Sequence, residues 1–335
     1  MSHQTGIVPF WKNYDRKTVI RFAQMAEDLG YHSIWIPEAW SYEQFQLLAE
    51  IAVHTKTIKL ATGITNIFSR SAALLAMSAA TLDEISGGRA ILGLGTSGKK
   101  VIENLHGQKF EKPLTRMRET VGIVNALLAG KRLSPEMSTT FDARAFKLEM
   151  TPTRAHVPIH IASLNEKAIV QTGEIADGWM PTFWPYKRFA DGIALLQDGA
   201  TKAGRAVTEI EVSPFVSVVP FDDVDFARSM VKPLVSFYIG GMGDYYHQMF
   251  SRFGFRENAD HVLEVYNGPD RGQASDAVSD ELIDAIAICG PAQHCREKLA
   301  EWRTYGLGTA ILGLPTQAPP EYTEQFLKDL APARD

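Results

Sequence analysis

The chain has 335 residues, 45% of them apolar and 22% charged, with a formal charge of −5 and an isoelectric point near 6.0. That balance supplies a sizeable core and leaves no electrostatic footprint for nucleic acid or an anionic membrane. No run reaches the ~20 apolar residues of a membrane span, and MSHQTGIVPFW lacks the basic start of a secretory signal, so a cytoplasmic protein is expected.

Short apolar runs alternate with helical patterns along the chain. IVPF (7–10) precedes YDRKTVIRFAQMAEDLG, where Val19, Phe22, Ala23, Ala26 and Leu29 recur at helical spacing and Gly30 suits the helix end. SIWIP (33–37) precedes YEQFQLLAEIAVHT, IKLATGI (58–64) precedes AALLAMSAATLDEIS, and AILGLG (90–95) leads through a loop into TRMRETVGIVNALLAG (115–130). An irregular stretch is expected over 131–156. The rhythm then resumes with PIHIA (158–162), GWMPT (178–182), IEVSPFVSVVP (210–220) and TAILGL (309–314), each with a helical pattern after it. Within 236–308, GGMGDYYHQMFSRFGF and PAQHCREKLAEW predict extra helices before the last strand. Eight βα repeats predict a single-domain (β/α)8 TIM barrel over 1–335, with insertions around 131–156 and 236–308. Cys289 and Cys295 lack CxxC spacing and are expected to pack.

GRAILGLGTSGKK contains G-x-G-x-x-G at Gly93, Gly95 and Gly98. A dinucleotide fingerprint belongs to a first βα turn, with an acidic residue about 20 positions on, at the end of the next strand. Here the glycines end the fourth strand, and Glu119 falls on the surface of the following helix. The context excludes the Rossmann reading.

In a barrel, function sits at the C-terminal ends of the strands. Those ends supply Phe10 and Trp11; Glu38 and Trp40; Gly63, Ile64, Thr65 and Asn66; and Thr96, Ser97 and Gly98, with Glu103 and His106 further on. Later ends supply Ser163, Asn165, Thr182, Phe183, Trp184, Pro220 and Pro315. The set is rich in rings, hydroxyls and glycines and poor in charge, which suits a flat, partly apolar ligand and shows no metal-ligand spacing. Two positions could take a phosphate: GTSGKK, through free backbone amides with Ser97, Lys99 and Lys100, and SLNEKAI, where Ser163 and Asn165 precede a helix N-terminus. Asn165 also reads as a plain helix cap. Trp35 and Trp179 are expected to pack, His54 and His160 to lack a chemical role, and Arg116 and Arg118 to make surface pairs. The glycines of GGMG with Met242 read either as a lid over the mouth or as a turn between helices.

GYHSIWIPEAW, IKLATGI, SAATLDEISGGRAILGLGTSG, LHG and PIHIASLNEKAIVQTGEIADGW resemble the bacterial luciferase-like superfamily, in motif order over essentially the whole chain. Within it the sequence is most similar to the coenzyme F420-dependent oxidoreductases, including the methylenetetrahydromethanopterin reductases. The resemblance implies a barrel with a deazaflavin at its mouth, and a non-prolyl cis peptide at Gly63–Ile64 behind the ring system. It implies that Glu38, Thr65, Thr96, Ser97 and Gly98 lie beside the cofactor, and that Ala162, Ser163, Asn165, Gly173 and Glu174 hold its phosphate. Where relatives carry a catalytic histidine after the acidic residue, this chain has Ala39. S-G-P-K is here Ser163-Leu164-Asn165-Glu166-Lys167, and E-G-W-H-G is Glu103-Asn104-Leu105-His106-Gly107.

The implied reaction is hydride transfer between C5 of the deazaflavin and a small organic substrate lying among Phe10, Trp11, Trp40 and Trp184. Glu38, Glu103 and His106 are then the candidate acids and bases. A homodimer is also implied. The alternatives are a two-component FMN monooxygenase served by a separate flavin reductase, and a non-catalytic flavin-binding barrel.

Overall fold

The structure, a computed structural model, describes residues 3–9, 14–141, 143–314 and 318–333. The first half runs β1 (Gln4–Val8), α1 (Arg16–Asp28), β2 (Ser33–Ile36), α2 (Gln44–His54), β3 (Lys59–Thr62), a short β4 (Thr65–Asn66), α3 (Ala72–Ser86), β5 (Ala90–Gly95), α4 (Lys99–Asn104) and α5 (Pro113–Leu128). There follow β6 (Ile159–Ile161), α6 (Glu166–Ile175), β7 (Gly178–Trp179), α7 (Phe189–Lys202), β8 (Glu211–Val212) and β9 (Phe215–Pro220). The last part is α8 (Val224–Gly241), α9 (Asp244–Phe250), α10 (Arg256–Asn267), α11 (Asp280–Ile286), β10 (Ala287–Gly290), α12 (Ala292–Arg303), β11 (Thr309–Gly313) and α13 (Pro320–Asp329).

Local sequence explains the element ends. Asp15 caps α1 by accepting from the Thr18 amide at 2.8 Å, and Ser71 caps α3 through the Leu74 amide at 3.1 Å. Gly87 closes α3 in the left-handed region at φ 65°, where a side chain would be strained. On α1 the buried face is Val19, Ile20, Phe22, Ala23 and Ala26, the spacing expected of a helix laid on a sheet.

The strands are parallel and close into a ring. β1 pairs with β2, β2 with β3, β3 with β5, β5 with β6, β6 with β7 and β7 with β8. β8 continues through Ser213 and Pro214 into β9, which pairs with β11, and β11 returns to β1. This is the eight-stranded barrel expected from the repeats. Inside it, Val8, Trp35, Ala61, Ile91, Met180 and Ile311 form one apolar cluster; a larger core fills the layer between strands and helices. Cys289 and Cys295 are free and buried.

Both insertions fall where expected, with additions. The segment 131–156 carries a 3₁₀ turn, Pro135–Met137, and Glu119 organises it: its carboxylate accepts from the amides of Thr139 and Thr140 and from the hydroxyls of Ser138, Thr139 and Thr140. Partial burial alone would raise this carboxyl, but those hydrogen bonds pull it down to about 2. Glu119 is therefore a loop anchor rather than a plain surface carboxylate.

The later insertion contains α9 to α12 and also a strand that periodicity does not announce, β10, paired with the upper half of β9. Gly240 and Gly241 belong to α8. A Cβ at Gly240 would sit 2.2 Å from the Tyr266 ring, so these glycines let α10 cross α8 closely.

Candidate active site

Above the inner cluster, Ile64, Ala162 and Phe215 are partly exposed and form the floor of the barrel mouth. The Gly63–Ile64 bond is cis. A Cβ at Gly95 would lie 2.7 Å from Ile64 Cδ1, and one at Gly63 would lie 3.1 Å from Trp35 Cβ, so a side chain at either position would push on its neighbours. The floor is apolar. Thr65 is buried beside it, its hydroxyl accepting from the Gln44 side-chain amide at 2.5 Å. Ser97 stands at φ 57° with its side chain partly exposed, next to the partly exposed Thr96.

Glu38 follows β2, but it is not a free acid. Arg70, from the loop before α3, holds both its oxygens, Nη1 to Oε2 at 2.5 Å and Nη2 to Oε1 at 2.6 Å, and Gln44 adds a contact at 3.3 Å. Arg70 also reaches Glu43 at 2.5 Å. The hydrogen bond that the guanidinium donates to Glu38 is the largest influence, and it raises the guanidinium above its ordinary value. The other two candidate acids stand apart from this pair. Glu103 is exposed on α4, 3.9 Å from Lys99, and His106 is half-buried just beyond that helix.

The phosphate corner is partly as expected. Asn165 caps α6, its side chain accepting from the Ala168 amide at 2.9 Å. The Ser163 hydroxyl is buried and shared with Thr172 at 2.9 Å. Arg252, from the insertion, donates to the Leu164 carbonyl at 3.0 Å and puts a cation beside the α6 N-terminus that the sequence reading missed.

Two other residues expected at that corner make helix contacts. Gly173 lies in the last turns of α6, about 10 Å along the axis from its start. It is small because a Cβ there would meet the Leu196 carbonyl oxygen of α7 at 2.2 Å. Glu174 points to α5, where it pairs with Arg118. Both positions serve helix packing.

Phe10 and Trp11 lie outside the described residues. Trp40 is 58% exposed and meets Phe237 of α8 edge-on at 6.2 Å. Trp184, expected beside the substrate, is instead buried between Trp179 at 5.1 Å and Phe253 at 4.8 Å, and its indole N–H donates to the Arg188 carbonyl. Arg116 departs from a surface pair as well, donating to the Ile67 carbonyl and lying over Phe68 and Phe141.

His160 is buried inside the barrel, 3.8 Å from Glu211, and its Nδ1 finds no partner among the described residues. Burial lowers its pKa against the pull of Glu211 and Asp177. Over the mouth, Met242 lies against Gly98, where a Cβ would be 3.4 Å from the Met242 carbonyl oxygen. The GGMG segment thus both ends α8 and covers the fourth-strand loop.

The barrel, its glycine-lined apolar mouth and the insertion before the last strand define a class of protein. The pattern of the luciferase-like monooxygenase family matches residues 4–309, and the chain belongs to that family. It is 31% identical over 322 residues to a Mycobacterium tuberculosis protein named as a coenzyme F420-dependent oxidoreductase, covering 90% of this chain and 92% of that one. With 5,10-methylenetetrahydromethanopterin reductase of Methanolobus tindarius it shares 30% identity over 303 residues, 89% of this chain and 90% of the relative. The structure of the coenzyme F420-dependent tetrahydromethanopterin reductase from Methanopyrus kandleri superposes with a TM-score of 0.81 at 25% identity, covering 99% of this chain and 98% of that one. Among the described residues no helix is long and apolar enough to cross a membrane, and no group of three His, Cys, Asp or Glu side chains could hold a metal ion.

Proposed function

We propose that the protein is a coenzyme F420-dependent oxidoreductase that transfers a hydride to or from a small organic substrate. The likeness, over nine-tenths of the chain or more, to a relative and a solved structure named for that coenzyme carries the reading. The mouth fits it: the floor of Ile64, Gly95 and Ala162 offers an apolar bed for a ring system. The α6 N-terminus with Arg252, and the loop of Thr96, Ser97 and Gly98, offer donors for a phosphorylated side chain.

When bound, a deazaflavin supplies a carbon centre that carries two electrons as hydride. The protein's own part is to bed the ring on one face, leave the other to the substrate and exclude water. Glu38, held by Arg70 that Glu43 also shares, shapes the rim as part of an ion cluster rather than as a free acid. Buried free Cys289 and Cys295 suit a reducing cytoplasm.

We further propose a homodimer through α2 and α3. Val53, Leu74, Met77 and Ile85 are large apolar residues exposed on these two helices, and Leu74, Met77 and Ile85 follow helical spacing along one face.

The family's monooxygenase character favours FMN as the second reading. The two are separated by turnover. Bleaching of oxidised F420 with a panel of secondary alcohols, or oxidation of reduced F420 by ketones and enones, supports the first reading. Oxygen uptake dependent on reduced FMN, with no F420 turnover, overturns it.

A further inference from the structure

Five rings run in a continuous arc over the mouth. Trp40, after β2, meets Phe237 at 6.2 Å; Phe237 meets Tyr238 at 5.8 Å; Tyr238 meets Tyr246 at 4.6 Å; and both tyrosines meet Phe183, after β7, at 5.2 and 6.0 Å. Every contact is edge-on, the geometry in which a ring edge faces a neighbouring ring's π cloud. The arc thus ties the ends of two strands on either side of the barrel to α8 and α9. Met242, between those helices, rests on Gly98 of a third strand loop. Phe183 sits in the left-handed region at φ 55°, a conformation that bulky residues keep only where the surroundings hold it.

Within the arc, Tyr246 is a distinct group. It is partly exposed, and its hydroxyl is hydrogen-bonded to the side chain of Thr182, just after β7. Each hydroxyl can donate or accept, so Thr182 can supply the hydrogen of that bond and leave the phenolic proton to a ligand. Burial, the largest influence, and the neighbouring Tyr238 raise its pKa well above 10, so the hydroxyl keeps its proton at neutral pH. On the same helices Lys232 pairs with Asp280 at 2.7 Å, Arg228 with Asp284 at 2.8 Å and His247 with Asp260 at 2.6 Å, while Asp244 is exposed to solvent at the start of α9.

We propose that this arc is the substrate wall, and that the Tyr246 hydroxyl donates a hydrogen bond to the oxygen of a neutral, flat carbonyl substrate. The inference rests on the proposed oxidoreductase reading and names the substrate class. The wall is aromatic and uncharged, and the nearby Glu38 is already satisfied by Arg70, so an anionic substrate would lose its hydration without gaining a cation. A flat neutral ring loses little on entry and gains the ring contacts.

The test uses acetophenone, benzoate and ethylbenzene, titrated against the purified full-length protein by quenching of tryptophan fluorescence, with and without F420. Acetophenone is expected to bind at least about tenfold more tightly than benzoate, which carries a charge on nearly the same outline. Tyr246→Phe should weaken acetophenone about fivefold and leave ethylbenzene, which has no oxygen, unchanged. Phe237→Ala should weaken both neutral probes, with circular dichroism confirming that each variant is folded. Benzoate binding as tightly as acetophenone, no saturable binding of either neutral probe, or a Tyr246→Phe protein that binds acetophenone unchanged would each overturn the proposal. F420 affinity, measured separately on the same variants, should not move. Failure of F420 to bind any of them would sink the oxidoreductase reading while the probe titrations still decide the wall.

Discussion

Arg70 and Glu38 leave only 13% and 11% of their side chains exposed, so their pairing is screened far less than a surface salt bridge. Arg70→Met would strand a carboxylate in that setting and is expected to lower unfolding stability by about 3 kcal/mol. A double change with Glu38→Met should recover part of that loss, which urea denaturation of the four proteins would show. His160 gives a pH prediction. It is buried and His32 partly so, and loss of hydration holds both below their ordinary value near 6.5. The unfolded chain therefore takes up protons first, so stability is complete above about pH 7 and falls as pH drops through 6.5, by up to about 1.4 kcal/mol per pH unit for each histidine. His156, half-exposed and raised by its hydrogen bond to Asp177, works in the opposite sense and is too solvated to offset those two rings. His160→Gln should flatten the fall in urea midpoint between pH 7 and pH 5; an unchanged slope would remove His160 from the cause. Glu38 was legible because it ends a strand whose apolar run is plain. Arg70 was not: it lies 32 residues away in the polar loop SRS, where sequence alone gives no sign of a partner.

At the scale of elements, α6 and α7 meet through their glycines. A Cβ at Gly173 would meet Leu196 of α7, and one at Gly199 would meet the Val170 carbonyl of α6 at 1.9 Å. The two glycines let the helix backbones touch. Gly173→Ala should cost about 1–3 kcal/mol through overpacking, seen as a lower melting temperature. Its affinity for F420 at a temperature where it is folded should stay as in the parent; a selective loss of that affinity would return Gly173 to the phosphate corner. The eight barrel strands were readable because strands covered on both faces are continuous apolar runs, and the helices because their buried faces repeat at 3.6. β10 escaped because AICG is only four residues among helices, and its pairing to β9 is a tertiary fact. Trp184 was misplaced for a related reason: it follows β7 closely, but Phe253 of the insertion and Trp179 draw it into a separate cluster.

The whole molecule joins a barrel whose ends meet, β1 on β11, to an insertion that arches back over the mouth. The exposed residues on α3 give the assembly prediction: Met77→Glu with Ile85→Glu should convert a dimer into a monomer by light scattering, and a parent that is already monomeric would contradict the proposed interface. For the central claim, that the mouth is built for a deazaflavin, the direct measurement is an ultrafiltration titration of the stripped protein with oxidised F420 and, separately, FMN. Saturable binding of F420 at least about tenfold tighter than that of FMN is predicted. FMN binding the tighter of the two would contradict it and assign the mouth to oxygen chemistry instead.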